Sequence, residues 1–538
     1  MGAAHVEHSA HVEHEVKLEA GVGFSVPDFE GIAPGVLAEA MPDARLQAVY
    51  YDTPDLRLMR NGITLRYRQD RQAAGTGERG WTLKLRAPPD GKGLVRKELT
   101  WAGGRTAPPR PAADLVRALS HGRCLGPVAR LVTLRRRTLL TDAAGGALLE
   151  VDDDIVSVMD GRRLAARFRE VEVEVVGSAD LLDAVVERLR DAGAVPGDDR
   201  PKVVRALGRR ATAPPDVVVP ALGSEASVKE MIGAAIAAGY TRLVDHDPGV
   251  RLDEDPEDVH QARVATRRLR SDLRSFARLL DDAWTRTVRE ELGWLARALG
   301  AVRDADVLGD RLAGRVGDLA ACDRAAAEPL LRRLAAQRKV ARRDLRTAMD
   351  SDRYLALLDT LVVGALDPPV GLRGAGEAGC GPEVDAGGAP EVEGGGPAVD
   401  GSAPAIEMVP RLVRPPWRNL DKAVGDLGDD PADDALHEVR IMAKRLRYAC
   451  EAVAPVAGKA ARRTAKDAAA LQSVLGDHHD AVVAEGWLRA AARQDGGARS
   501  VVTGQLIAGE RRVQDDARRQ WRRPWRALAD KHRRDWFR

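Results

Sequence analysis

Glu13, Glu15 and Lys17 alternate with Val12, His14 and Val16. Arg66 and Arg68 alternate with Leu65 and Tyr67, and Lys84 and Arg86 with Leu83 and Leu85. Glu170, Glu172 and Glu174 alternate with Val171, Val173 and Val175. Side chains at i, i+2 and i+4 share one face of a strand, so each run builds a charged face backed by an apolar one. Glu150, Asp152 and Asp154 make a further acidic face, and Arg96 (with Glu98) and Arg135/Arg137 make further basic ones. Carboxylates side by side repel and cannot all ionise unaided. A hard divalent cation, Mg²⁺ or Mn²⁺, relieves that repulsion through oxygen ligands. Guanidinium and ammonium groups match phosphate oxygens, arginine in bidentate fashion. The chemistry this pattern suits is holding a polyanion together with its metal ions. Solvent-facing sheets also alternate. Their outer faces are mixed in sign, however, and three glutamates on one strand face would repel for no purpose.

Eight strands are expected to position these groups, at 11–19, 46–51, 63–70, 80–87, 94–101, 131–141, 147–158 and 167–176, with helices near 29–40, 112–120 and 179–193. Antiparallel strands in that number can close into a barrel. With the charged faces inward, the lumen would carry opposing acidic and basic walls. Ala213-Pro214-Pro215-Asp216 marks a boundary. From about 223 the pattern changes to long helices rich in Ala, Leu and Arg. Residues 367–409, dominated by Gly, Pro, Ala and acidic residues, read as a disordered insertion.

A repeat flanks that insertion. The run from Val259 to Ser271 matches the run from Leu436 to Tyr448, and Leu299–Asp304 matches Leu475–Asp480, at nearly one offset (437 − 260 = 177; 480 − 304 = 176). Two matches in register indicate two related helical bundles. His260, Arg263, Arg267, Arg270 and Arg274 recur at helical spacing, as do His437, Arg440, Lys444 and Arg447. Aligned cations repel one another, and a long polyanion would offset that repulsion while releasing its counterions. The competing reading is a solvated arginine face paired with carboxylates at i+4, and it is weakened because Asp272 is the only acid between 260 and 274. Nucleic acid competes as the polyanion, although aromatic residues suited to base stacking are sparse on these helices.

At 538 residues the chain exceeds one ordinary domain. A net charge of +2 with 30% charged residues hides strong local segregation. Cys124, Cys322, Cys380 and Cys450 lie far apart, so neither a zinc site nor a disulfide framework is indicated, and a cytoplasmic location fits. No stretch is long enough to span a bilayer. The repeated His-Val-Glu-His at 5–8 and 11–14 is a terminal tail, and His14 lies opposite the glutamates, so no histidine metal site is inferred.

Glu13-His-Glu15-Val-Lys17 resembles the ExExK signature of the CYTH superfamily, the triphosphate tunnel metalloenzymes. Tyr50-Tyr-Asp-Thr-Pro-Asp55 with Leu58, Leu65-Arg-Tyr-Arg68, Thr82-Leu-Lys84, Arg96-Lys-Glu98, Glu170–Glu174 and Lys202 follow in the family's order, over about 11–208. The helical half, 223–530 with repeats 223–365 and 412–530, resembles the CHAD domain. The resemblances imply an α+β multidomain protein, with an N-terminal eight-stranded antiparallel β-tunnel and flanking helices before an all-α duplicated bundle. They imply a metal-dependent inorganic triphosphatase joined to a polyphosphate-binding module. Carried over by position, Glu13, Glu15 and Lys17 would be catalytic. Glu13, Glu15, Glu150, Asp152, Glu172 and Glu174 would be the metal candidates. Lys17, Arg66, Arg68, Lys84, Arg96, Arg135, Arg137 and Lys202 would hold phosphates. His260, Arg263, Arg267, Arg270, His437, Arg440, Lys444 and Arg447 would bind polyphosphate, with Asp304 and Asp480 orienting basic groups. The expected partners are inorganic triphosphate and polyphosphate, and association with polyphosphate granules is compatible with that. Two other readings stay open: a polyphosphate binder without catalysis, and a hydrolase or cyclase acting on an organic triphosphate.

Overall fold

The structure, a computed structural model, describes residues 9–21, 23–70, 79–86, 94–197, 200–371, 400–493 and 498–537. The chain divides into two compact units, Met1–Asp216 and Val217–Arg538.

Among the described residues, nine strands make one antiparallel sheet in the first unit: β1 (Ser9–Glu19), β2 (Leu37–Asp52), β3 (Thr64–Asp70), β4 (Arg79–Arg86), β5 (Leu94–Trp101), β6 (Gly126–Thr141), β7 (Ala147–Asp160), β8 (Arg163–Val175) and the two-residue β9 (Val195–Pro196). Their order is β5-β4-β3-β2-β6-β7-β8-β1-β9, and β1 also pairs with β5. That return is staggered. β1 meets β5 over Ser9–Glu15 and β8 over Glu15–Glu19, and β9 takes its other edge at Leu18 and Glu19, so the sheet curls back on itself. Register carries the alternation from strand to strand. Lys17 lies opposite Glu172, Glu172 opposite Asp152, and Asp152 opposite Arg137; Arg66 lies opposite Thr82, and Lys84 opposite Glu98. The charged residues therefore share one face, which is the concave one: Glu15, Lys17, Lys84, Asp152, Asp154, Glu170 and Glu172 are all buried.

Short helices cover the ends and back of this sheet: α1 (Arg57–Arg60), α2 (Arg110–Leu115), α3 (Arg117–Ser120), α4 (Leu182–Asp191) and α5 (Lys202–Leu207). Val185, Val186 and Leu189 of α4 pack on the outward side chains Leu18, Leu149, Val151, Val171 and Val173. Each such fully buried aliphatic group contributes roughly 1.5–3 kcal/mol. Val203 and Val204 of α5 pack instead on Ala48, Tyr50, Leu131 and Val156, which share the concave face with the charges. α5 thus closes part of the interior with apolar groups and sends Lys202 among the carboxylates. No helix forms at 29–40. That stretch is turns followed by the start of β2, which is longer than the expected 46–51 and carries a bulge between Met41 and Ala44. The bulge interrupts the alternation by which the strand would have been recognised.

The second unit is helical: α6 (Val228–Leu252), α7 (Pro256–Ser275), α8 (Asp282–Gly317), α9 (Ala321–Met349), α10 (Asp352–Leu366), α11 (Ala405–Gly425), α12 (Asp433–Ala492), α13 (Ala498–Gln520) and α14 (Arg522–Leu528). Helix starts repeat the sequence offset: 405 − 228 and 433 − 256 each equal 177. α12 does the work of α7 and α8 together, because Gly458 at φ 71°, ψ −143° breaks it in two. Both ends of the 367–409 segment are ordered, against the expectation of disorder throughout, and α11 begins within it at Ala405. Pro404 bridges Ser227, and Val370 bridges Leu280. Residues 372–399, the bulk of the segment read as disordered, lie outside the described residues.

The break at Gly458 uses a backbone region open essentially to glycine. Gly458→Ala is expected to destabilise the helical unit by about 1–3 kcal/mol. Urea unfolding followed by circular dichroism reads this directly, and an unchanged midpoint would contradict it.

Candidate functional site

The acidic stretch of the curled sheet is built by β1, β7 and β8. Asp152 and Asp154 face inward, opposite Glu172 and Glu170, while Asp153 faces outward and accepts both bonds of the Arg169 guanidinium at 2.7 Å. This settles the Asp152–Asp154 register. Three cations enter the stretch. Lys17 contacts Glu15 at 3.3 Å and hydrogen-bonds Glu172. Arg135 is bidentate to Asp154 at 2.7–2.8 Å, reaches Glu172 at 3.2 Å and pairs with Asp152. Lys202 lies 3.0, 2.9 and 2.5 Å from Asp154, Glu170 and Glu172. Burial alone would raise Glu172, but Lys17, Lys202 and Arg135 outweigh it and hold its carboxyl well below the usual range. Burial pushes Asp152 up to about 8; Arg135 opposes that rise, and Asp154, Glu150 and Glu172 add to it.

Lys17, Arg135 and Lys202, read from sequence as phosphate ligands, are therefore engaged by carboxylates in this structure. The expected picture of an acidic wall facing a separate basic wall holds only in part, since these cations interleave with the acids. Alternation along a strand does not reveal how far a long side chain reaches across neighbouring strands. Lys202 arrives on a helix, where no strand pattern could place it. Asp154, Glu170 and Arg205 were visible as charges but were not among the expected site residues. Arg205 lies 3.2 Å from Glu19 and 3.9 Å from Glu170.

The basic groups of the concave face lie on β3, β4 and β6. Lys84 pairs with Glu98 at 3.1 Å, and Arg137 is 3.9 Å from Glu150. Arg66 first, then burial, then Arg135 pull Arg68 below the usual arginine range, a sign of cations crowded together. Glu13 and Arg96 face each other between β1 and β5, but their side chains lie outside the described residues. The family motif around Asp52 is structural. Its buried carboxylate accepts the backbone N–H groups of Thr53, Leu58 and Met59 at 2.7–3.0 Å and so holds the turn into α1.

Among the described residues no group of three or more acid, histidine or cysteine side chains is arranged to hold a metal. The donor chemistry nevertheless fits a hard divalent cation. Oxygen donors predominate, and Asp152 Oδ1 is buried without a hydrogen-bond partner. Glu15, Glu150, Asp152 and Glu174 are the carboxylates the site could offer; Glu172 is already neutralised by lysines.

The second cluster lies where α7 packs against α12. Lys444 occupies the repeat position of Arg267 (444 − 267 = 177), and Arg440 and Arg447 occupy those of Arg263 and Arg270. These positions meet. Burial first, then Arg267, Arg440, Arg263 and Arg270, bring Lys444 down to about 7. The Nε groups of Arg267, Arg270 and Arg440 are buried without hydrogen-bond partners. Asp304 accepts from Arg263 at 2.7 Å, and Asp480 faces Arg440. Burial and then Arg303 lower His260, while burial and then Arg440 lower His437, whose ring stacks on His479 at 4.1 Å between centroids. Both histidines are thus shifted toward the neutral form.

Both units match known families. The CYTH domain model matches residues 12–206 and the CHAD domain model matches residues 234–489. Two Mycobacterium tuberculosis proteins, Uncharacterized protein MT2285 of strain CDC 1551 / Oshkosh and Uncharacterized protein Rv2226 of strain ATCC 25618 / H37Rv, are each 35% identical over 485 residues, covering 85% of this chain and 84% of theirs. The chain belongs to the CYTH–CHAD proteins, whose first domain places it in the triphosphate tunnel superfamily. Among solved structures, PptA from Streptomyces chartreusis is 22% identical at a TM-score of 0.44, over 56% of this chain and all of that one. The CHAD domain from the plant Ricinus communis is 25% identical at a TM-score of 0.43, over 58% of this chain and 95% of that one.

Two outcomes are expected. Glu172→Gln leaves Lys17 and Lys202 buried without their shared partner, a loss of about 3–5 kcal/mol; a denaturation midpoint equal to wild type would show that the cations redistribute. Lys444→Met raises stability at pH 6, where the lysine is charged in the folded and unfolded chain alike. Its folded pKa lies below the unfolded one, so the folded chain holds fewer protons between about 7 and the ordinary lysine value. Wild-type stability therefore climbs relative to the variant as pH rises through that window. Thermal melts of both proteins across pH check the sign, and a constant gap contradicts it.

Proposed function

We propose that the sheet unit hydrolyses inorganic triphosphate with a divalent cation, and that the helical unit holds inorganic polyphosphate. The observation that carries the first part is the concave face itself, where carboxylates of β1, β7 and β8 and cations of β3, β4 and β6 share one buried surface. Mg²⁺ or Mn²⁺ would be held by Glu15, Glu150, Asp152 and Glu174, with Glu13 beside them in β1; when bound, it polarises the terminal phosphate and activates water. Arg66, Arg68, Lys84 and Arg137 bind the phosphate oxygens and orient the chain. Their fixed charges meet the negative charge that spreads over the transferred group. Lys17 and Lys202 hold Glu172 ionised and in place. α5 closes part of the interior and limits the water that reaches it.

For the helical unit the carrying observation is the cluster of Arg263, Arg267, Arg270, Arg440 and Lys444, in which the buried Nε–H groups of Arg267, Arg270 and Arg440 lack acceptors. An unmade buried hydrogen bond costs about 1–3 kcal/mol, and phosphate oxygens along a chain would supply acceptors to several at once. Nucleic acid fits less well. Tyr448, the ring of this groove, is 2% exposed and has Arg267 and Arg447 over it, so it offers no face to a base.

Binding without cleavage is favoured by one observation: the acidic stretch is largely neutralised by Lys17, Arg135 and Lys202. Phosphate release from tripolyphosphate decides between the readings. Release that requires Mg²⁺ or Mn²⁺ and is lost in a folded Glu15→Gln variant supports catalysis. Release that continues unchanged after chelation removes the metal-dependent account, and binding with no release leaves the non-catalytic one. For the groove, Arg263→Glu with Arg440→Glu should weaken polyphosphate binding at least tenfold and flatten its salt dependence. Unaltered affinity in a titration at two salt concentrations would place the polymer elsewhere.

A further inference from the structure

A pocket of about 340 Å³ opens beside the basic groove, where α7 meets both halves of α12. Its polar lining is Arg268, Arg447, Arg462, Lys466 and Glu451; the rest of the wall is alanine. Arg447 links groove and pocket, because it and Arg267 of the groove both lie over the Tyr448 ring. Glu451 accepts from Arg268 at 2.6 Å and from Arg447 at 2.8 Å, which fixes both guanidiniums at the mouth. Behind Arg268, Asp272 is 1% exposed, and burial pushes its carboxyl up to about 7, so it brings only part of a charge. Arg462 and Lys466 are exposed, one helical turn apart, and make no ion pair among the described residues. Like charges at that spacing repel. Arg462 also lies in the first turn after the Gly458 break, where the helix dipole disfavours a cation. Neither residue is there to stabilise its helix.

Four cations against one carboxylate make an anion pocket. Its alanine wall gives a chain no polar path onward. A phosphate inside a polyphosphate chain carries one charge, whereas a terminal one gains a second ionisation near pH 6 and has three free oxygens. We propose that this pocket binds the terminal phosphate of a polyphosphate chain lying in the groove, an end-group subsite distinct from the contacts along the chain. The inference rests on the reading of the groove as a polyphosphate site.

Calorimetry on the full chain tests it with two probes: a linear polyphosphate of medium length with free ends, and the same chain with both terminal phosphates capped as phosphoramidates. The wild type should bind the free-ended chain about tenfold more tightly, or about 1.4 kcal/mol. The Arg462→Ala, Lys466→Ala double variant, which alters exposed and unpaired side chains, should bind both chains as the wild type binds the capped one. The proposal is overturned if the wild type treats the two chains alike. It is equally overturned if the variant keeps the preference, which would assign end recognition to the sheet unit. If the wild type binds neither chain, the polyphosphate reading of the groove falls and the pocket's role goes with it.

Discussion

Like charges gathered on a poorly hydrated concave surface must be compensated, and the two units of this protein meet that demand differently. In the sheet unit, three strands bring carboxylates within reach of one another, and Lys17, Arg135 and Lys202 are placed among them. Compensation is internal there, and Glu172 is its centre, touching all three cations. In the helical unit the cations of two repeat copies meet with few acids between them, and several buried N–H groups are left without acceptors. The first unit can stand folded without a ligand and still present oxygen donors. The second keeps an electrostatic deficit that an anion would fill.

Internal compensation in the sheet unit depends on long-range assembly. Lys17 comes from the first strand, Arg135 from the sixth and Lys202 from a helix after the last long one, yet all reach Glu172. Two features make this possible: the staggered return of β1, which meets β5 and then β8, and the seating of α5 by Val203 and Val204 on apolar groups of the concave face. Apolar packing sets where Lys202 sits, and the carboxylates set what it does there. A buried ion pair adds little net stability but is expensive to break, so such a network specifies the arrangement more than it strengthens it.

The strands bearing Glu15, Arg66, Lys84, Asp152 and Glu172 were legible because period-two alternation survives in any register. The common face followed from that. What alternation could not show was that cations and acids interleave, since that depends on register and side-chain reach across strands. The 29–40 stretch reads as a helix in sequence yet forms turns and the start of β2, whose bulge hides the strand's true beginning. In the helical half the offset of 177 was legible and proved to apply to whole helices. The Gly458 break inside α12 was not, because a lone glycine in a helical pattern also occurs without a break. The pocket at Arg462 and Lys466 could not have been found from spacing, since its lining comes from helix segments brought together by that break.

The repeat copies differ at one position in a way that follows from the same constraint. Arg267 in the first copy is Lys444 in the second. Two arginines meeting there would both stay charged, because a guanidinium does not deprotonate in a protein. A lysine can, and burial among four arginines brings Lys444 down to about 7. Near that pH the cluster can shed part of its repulsion by releasing a proton from Lys444. The lysine thus lowers the electrostatic cost of gathering these cations on one buried surface. A duplicated site with arginine in both copies would lack that adjustment.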